Sequence, residues 1–119
     1  MINIENTIIS KKSKIYTIAE IGVNHNGLIN NAIKMINFAN EAGFNAVKFQ
    51  TYDVNEMLTD RANLANYQKK TKFQNMKSML KKYSLTFDQF NKLKAYCKRK
   101  RITFLSTPFD VKSAIFLNK

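Results

Sequence analysis

Three short apolar runs, each giving way to polar residues, punctuate this chain, and helical periodicity fills the intervals between them. The first run covers residues 15–20, Ile15-Tyr16-Thr17-Ile18-Ala19-Glu20. It is apolar through consecutive positions rather than cleanly alternating, which predicts a strand covered on both faces. A turn-prone stretch over 22–28 follows, with Gly22, Asn24, His25, Asn26 and Gly27. The second run, 46–50, is Ala46-Val47-Lys48-Phe49-Gln50, and the third, 102–105, leads into Ser106-Thr107. Pro108 is expected to break that third strand, since it cannot donate to a ladder. A helix is predicted over about 31–42, where Ile33, Met35, Ile36, Ala39 and Ala42 recur at spacings of three and four. Asn30 or Asn31 can cap its start and Gly43 can close its end. A short helix is expected over 75–83, with Met76, Met79 and Leu80 on one face. A clearer one opens at Thr86, where Gln89 completes the capping-box spacing. Its stripe of Phe90, Leu93, Tyr96 and Cys97 continues to about Lys100. Asp110 can cap a last helix over 111–117, and residues 7–9 can make a short edge strand. Residues 51–72 are polar and weakly periodic, longer than an ordinary connection, so a functional loop or excursion is expected there. Strands alternating with helices predict an α/β fold with parallel strands.

Composition narrows the class. At 119 residues and 45% hydrophobic content, the chain can build a core, which argues against global disorder. No apolar run approaches the ~18 residues of a membrane-spanning helix. Residues 1–14 lack the basic start and long apolar stretch of a signal peptide, so a cytoplasmic protein is the expectation. The single cysteine, Cys97, cannot form an internal disulfide. In an apolar helical stripe without a histidine nearby, it reads as an ordinary buried thiol rather than a nucleophile. The net charge of +12 is gathered at Lys69, Lys70 and Lys72, at Lys77, Lys81 and Lys82, and in the run Lys98-Arg99-Lys100-Arg101. Such a balance suits nucleic acid, an anionic surface or anionic substrates. The plainer reading is a solvated face, with the last run complementing a helix dipole.

The chemistry lies at the strand ends. Desolvating a carboxylate is costly, so Glu20 either meets solvent or ligand at a strand end or has a buried partner. Lys48 and Gln50 close the second strand and Ser106-Thr107 the third. In barrels and open α/β sheets ligands sit at the carboxyl ends of the strands, so these residues converge on one mouth. Lys48 there is a point charge for a phosphate or carboxylate. Ser106 and Thr107, entering a helix, offer hydroxyls and amides to the same kind of anion. Glu20 beside Lys48 could orient a hydroxyl, pair with the lysine or move a proton. The alternative is a Glu20–Lys48 ion pair with no ligand at all. The sequence has neither a Cys/His metal spacing nor a Gly-rich phosphate loop.

These residues also carry a resemblance. Ile18-Ala19-Glu20-Ile21-Gly22-Val23-Asn24-His25-Asn26-Gly27 resembles the opening signature of the sialic acid synthase family, which includes N-acetylneuraminate, legionaminate and pseudaminate synthases. Ala46-Val47-Lys48-Phe49-Gln50-Thr51 is similar to its second-strand motif, and Phe104-Leu105-Ser106-Thr107-Pro108-Phe109-Asp110 to its third. The resemblance runs from about residue 13 to the end. It implies the first three parallel βα units of a (β/α)8 barrel, in which phosphoenolpyruvate condenses with an N-acylmannosamine-type sugar and water. The products would be a nine-carbon 2-keto acid and phosphate. By matching motif, Glu20 would act at the reacting centre and Lys48 would hold phosphoenolpyruvate. Gln50 would contact the sugar, Thr107 would bind phosphoenolpyruvate with Ser106 its neighbour, and Asn24 and Asn26 would shape the site. The resemblance also implies a divalent cation, Mn or Mg, bound by histidines of later strands. His25 then belongs to local loop structure or substrate contact. Homodimers are implied, and neither a membrane nor nucleic acid is the expected partner.

A complete barrel takes about 250 residues. The expectation is therefore that residues 1–119 form the N-terminal fragment of a synthase barrel, without its later strands or a C-terminal antifreeze-like domain. Another phosphoenolpyruvate–sugar condensing barrel is the second reading, against which the Asn24-His25-Asn26-Gly27 loop argues. A non-catalytic basic binding module is the third, and its signature would be nucleic-acid affinity that falls steeply with salt. Assayed alone, the chain is expected to give no synthase turnover; phosphate released from phosphoenolpyruvate plus sugar would overturn this.

Overall fold

Two parallel strands joined by a helix lie side by side, and the turn that follows the helix locks onto the chain that precedes the first strand. Asn45 Oδ1 accepts from Thr17 N at 2.8 Å and from Thr17 Oγ1 at 3.0 Å, while Asn45 N donates back to Thr17 O at 3.1 Å. In a computed structural model, which describes residues 1–5, 7–57 and 76–119, this clamp starts a parallel sheet. Its strands are β3 (Ile18–Gly22), β4 (Ala46–Thr51) and β5 (Thr103–Pro108), in the order β3-β4-β5. Asn45 O also accepts from Thr103 N at 3.0 Å, so one residue sets the lower register of all three strands. An antiparallel pair precedes the sheet, β1 (Ile2–Ile4) with β2 (Thr7–Ile9). The sequence reading anticipated the 7–9 strand but not its partner. Glu5 fastens this pair to the sheet by accepting from Thr103 Oγ1 at 2.9 Å.

Two strand boundaries differ from expectation. β3 begins at Ile18 rather than at residue 15, and Ile15 is 87% exposed. The Thr17–Asn45 clamp, not the β-propensity of Ile15-Tyr16, decides where pairing starts. β5 runs through Pro108 instead of ending before it. Pro108 stands opposite Thr51, and the next amide, Phe109 N, makes the bond to Thr51 O at 3.0 Å. The missing proline donor is therefore not needed, as suits a strand at the edge of the described sheet. The expectation of a first strand covered on both faces also fails among the described residues. Ile18 and Glu20 are exposed while Ile21 is buried.

Helices cover the other face. They are α1 (Ile29–Glu41), α2 (Val54–Met57), α3 (Met76–Tyr83), α4 (Phe87–Lys100) and α5 (Val111–Leu117). α1 buries Ala32, Ile36 and Ala39, and α4 buries Phe90, Leu93 and Cys97, against Ile21, Val47 and Phe49 of the sheet. Fully burying the larger of these side chains, such as Ile36, Leu93 and Phe49, stabilises the fold by about 1.5–3 kcal/mol each. Ala42, expected in the α1 stripe, is exposed, and Ala32 takes that role instead. The cap of α1 differs too. Leu28 is the N-cap residue without a side-chain bond, while Asn30 and Asn31 lie inside the first turn. Gly43 closes α1 with φ of +80°, as its position predicts. Thr86 and Gln89 form the expected capping box of α4, at 2.8 and 3.2 Å. Burial pushes the Cys97 thiol up to about 12, with Glu5 adding to the effect. The run 98–101 is exposed, and Arg99 and Lys100 lie 5.3 and 5.7 Å from the Tyr96 ring centre. Most of the excursion expected over 51–72, together with Lys69, Lys70 and Lys72, falls outside the described residues.

Asp110 ties the upper end of the sheet together. Its Oδ1 accepts from Ser113 N at 2.7 Å, capping α5, and its Oδ2 accepts from Ser113 Oγ at 2.8 Å and Asp53 N at 2.7 Å. Burial raises its pKa, but the bonds from Asp53 and Ser113 outweigh that and hold it below 3.8. Asp53 is held low by Lys112 and by the Asn55 amide. Carboxylates depressed in the folded state contribute stability above their unfolded pKa and lose it as pH falls through the folded value. Thermal midpoints are therefore expected to fall as pH drops below 3.8, and Asp110→Asn is expected to flatten that acid limb. An acid limb unchanged in the variant would refute the role.

Candidate functional site

β4 is the spine of the site. Successive side chains of a strand point to opposite faces, and Val47, Phe49 and Thr51 are fully buried on the helix side. Lys48 and Gln50 must then face the other way. The register places Glu20 beside Lys48 and Thr107 beside Gln50. Glu20, Lys48, Gln50 and Thr107 consequently share one face at the carboxyl end of the sheet. Lys48 Nζ stands 2.6 Å from Glu20 Oε2, with 39% and 50% of the two side chains exposed. The alternatives open for Glu20 thus resolve into an ion pair that also meets solvent.

Gly22 shapes this face, which the sequence reading treated only as the start of a loop. Alternation turns Ile21 into the core while Glu20 stays beside Lys48, and the β3 register then shifts so that Gly22, not Ile21, pairs with Phe49. Gly22 takes φ of +54°, and a Cβ added there would lie 3.5 Å from Gln50 Nε2 and 3.8 Å from Glu20 Oε1. The functional ends of Gln50 and Glu20 therefore gather around the bare Cα of Gly22.

Ser106 is not brought to this face. It follows Leu105 and precedes Thr107 within β5, so alternation turns it to the helix side. There its Oγ lies 2.6 Å from Thr51 Oγ1. Thr107 is exposed, with its neighbour's hydroxyl on the opposite side of the sheet. The two adjacent hydroxyls expected to act together are separated by the continuation of the strand.

Asn24 and Asn26 are exposed in the β3–α1 loop, which is built of successive tight turns. Asn24 N donates to Ile21 O, Asn26 N to Val23 O and Leu28 N to His25 O, each at 3.0 Å. Between the two asparagines, His25 is buried, accepts from Gly27 N through Nδ1 at 3.1 Å, and packs 6.1 Å from the Phe49 ring centre. Burial lowers its pKa, while the Gly22 backbone acts in the opposite sense. Across the mouth, Tyr52 OH donates to Leu80 O at 3.1 Å, and burial pushes its phenol up to about 12. Among the described residues no group of three or more His, Cys, Asp or Glu gathers to hold a metal. Glu20 is engaged with Lys48, and His25 Nδ1 with Gly27. What the face offers is an accessible cation, a carboxylate, an amide and a hydroxyl, suited to an anion carrying or accompanied by hydroxyl groups.

Comparison with known proteins finds relatives of one kind. The family model described as the NeuB family matches residues 35–119. The N,N'-diacetyllegionaminic acid synthase of Campylobacter jejuni is 39% identical over 108 residues, 89% of this chain and 32% of that protein. The N-acetylneuraminate-9-phosphate synthase of Drosophila melanogaster is 35% identical over 119 residues, covering 95% of this chain and 31% of its own. Among solved structures, the N-acetylneuraminic acid synthetase of Leptospira borgpetersenii superposes with a TM-score of 0.79 at 32% identity. That match covers 98% of this chain and 37% of that one. The chain thus spans about a third of the length of these relatives.

The loop is docked through Gly27, where φ is +72° and an added Cβ would lie 2.2 Å from Lys82 O at the end of α3. Gly27→Ala is expected to destabilise the chain by about 2 kcal/mol or more, from positive-φ strain and forced displacement of backbone. Gly43→Ala, at φ of +80° with no atom within 4 Å, is expected to cost about 1 kcal/mol. Urea midpoints of the two variants measure the difference, and equal losses would show that the loop does not depend on its contact with α3.

Proposed function

The chain belongs to the NeuB family, and on that premise we propose that it supplies one side of the active site of a sialic-acid-type synthase. The reaction condenses phosphoenolpyruvate with an N-acylmannosamine-type sugar and water, giving a nine-carbon 2-keto sugar acid and phosphate. The three parallel βα units are read as the start of a (β/α)8 barrel, with the mouth at their carboxyl ends. That the relatives are legionaminic and neuraminic acid synthases supports a sugar-acid product. One observation carries the reading: the half-exposed Glu20–Lys48 pair shares its sheet face with Gln50 and Thr107.

In this reading Lys48 holds the phosphoenolpyruvate anion and Thr107 donates its hydroxyl to the same molecule. Gln50 contacts the sugar. Glu20, released from Lys48 as the anion takes its place, accepts a hydrogen bond from a sugar hydroxyl or from water and can hold its proton. The Mn or Mg ion that the resemblance implies would take its ligands from outside the described residues, and no step here is routed through it. Ser106 contributes through its bond to Thr51, which holds β5 against β4. Asn24 and Asn26 line the edge of the mouth.

Phosphoenolpyruvate binding to the 119-residue chain, followed by 31P NMR, tests the assignment. Lys48→Ala is expected to weaken binding about tenfold or more, the scale of one hydrogen bond to a charged group. The thermal midpoint should barely move, because exposed ion pairs contribute little stability. Unchanged binding in the variant would overturn the role of Lys48.

A further inference from the structure

We propose that His25 is a positioning residue for the β3–α1 loop: its Nδ1 accepts the Gly27 amide proton, its ring rests on Phe49, and together these contacts hold residues 24–27 against the end of α3. His25 is the single histidine of the sequence and is 1% exposed. The bond from Gly27 N is 3.1 Å long. An Nδ1 that accepts carries no proton, so the neutral ring bears its hydrogen on Nε2. That buried Nε2 has no hydrogen-bond partner of acceptable geometry among the described residues. The Gly22 backbone acts on the ring without making such a bond. A buried donor left unsatisfied is retained where something else is gained. Here the gain is an acceptor for the Gly27 amide, in the turn whose glycine alone can approach Lys82 O.

The loop is also pinned from the other side of the same residue. The His25 carbonyl accepts from Leu28 N at 3.0 Å and from Asn31 Nδ2 at 3.4 Å, joining the loop to the first turn of α1. The ring therefore ties the loop to β4, while the carbonyl of the same residue ties it to α1. A second proton would remove the Nδ1 acceptor and place a charge beside Phe49. Among the described residues, the titratable groups of the surrounding elements offer no compensation. Glu20 of β3 and Lys48 of β4 face the opposite side of the sheet, and Lys34 of α1 and Lys81 and Lys82 of α3 have exposed side chains. Tyr52, whose phenol is pushed up by burial, remains neutral in acid. Protonation is thus expected to free the loop. The consequence for Asn24 and Asn26 rests on the synthase reading, but the hold on Gly27 does not.

Long-range 1H–15N correlation on the 15N-labelled chain reads one imidazole without ambiguity. The expected result is a protonated Nε2 and bare Nδ1 at neutral pH, with a titration midpoint below 6.5. As the ring takes its second proton, Gly27 amide exchange should rise on the order of fivefold relative to its intrinsic rate, reflecting one lost hydrogen bond. His25→Asn, whose Oδ1 stands near the position of Nδ1, should keep Gly27 protected but abolish the pH step. His25→Leu, which fills space without an acceptor, should lose that protection. An Nδ1–H tautomer, a midpoint at or above 6.5, or full Gly27 protection in His25→Leu would overturn the proposal. If His25→Leu does not fold, the tautomer and midpoint of the parent still decide. None of these readouts involves phosphoenolpyruvate, so the proposal and the synthase reading fail separately.

Discussion

Phe49 decides which way the central strand faces. Its fully buried ring lies 6.1 Å from His25, 6.2 Å edge-on from Phe90 and 5.5 Å in a stack with Phe104. Because side chains alternate along β4, burying Phe49 sends Lys48 and Gln50 to the opposite face. A one-residue slip would exchange the two sets. It would expose a phenylalanine worth about 1.5–3 kcal/mol when buried and drive a lysine into the core, at several kcal/mol. The register that sets Glu20 beside Lys48 and Thr107 beside Gln50 is therefore a by-product of core packing.

The ends of β4 are fixed by polar contacts rather than by the core. Below, Asn45 bonds to Thr17 and Thr103. Above, Asp110 accepts from Asp53 N while capping α5, and Tyr52 reaches Leu80. Lys48 and Gln50 sit between two clamps that tie β4 to both neighbouring strands and to α3 and α5. Side chains on a strand held in this way have little backbone freedom, which is what a binding face requires. The mobile choices are left to the lysine and glutamate side chains themselves.

Much of this was legible in the chain. The alternation of strands and helices, the capping box at Thr86, the Asp110 cap, Gly43 and the Phe90–Leu93–Cys97 stripe all follow from local rules that the tertiary structure does not override. Convergence of Glu20, Lys48, Gln50 and Thr107 followed from strand polarity alone. The failures share one cause, contacts distant in sequence. Thr17 meets Asn45 across 28 residues, and that contact sets the start of β3. Pro108 looked like a breaker, which placed Ser106-Thr107 at the strand's end, entering a helix, where both hydroxyls could serve one anion. The bond from Phe109 to Thr51 keeps them in the strand, and alternation then separates them. His25 was expected to serve local loop structure or substrate contact, and its bond from Gly27 N fits the first; what its sequence neighbours do not show is the packing against Phe49.

The Glu20–Lys48 pair can be weighed as structure or as chemistry by its exposure. With 39% and 50% of the side chains in solvent, such a pair contributes about 0–1 kcal/mol, while Phe49 and the Asn45 and Asp110 contacts already define the register. Its removal should leave the fold nearly unchanged, so the fold gives no strong reason for a lysine and a glutamate at these two positions. A deeply buried pair would be different, since removing one partner leaves an uncompensated charge. An accessible pair can also exchange partners cheaply, which is what the proposed replacement of Glu20 at Lys48 by an incoming anion requires. Low structural value combined with a tightly fixed location is the pattern expected of groups kept for a ligand, and it is stronger evidence for a site than either the charge or the strand end taken alone.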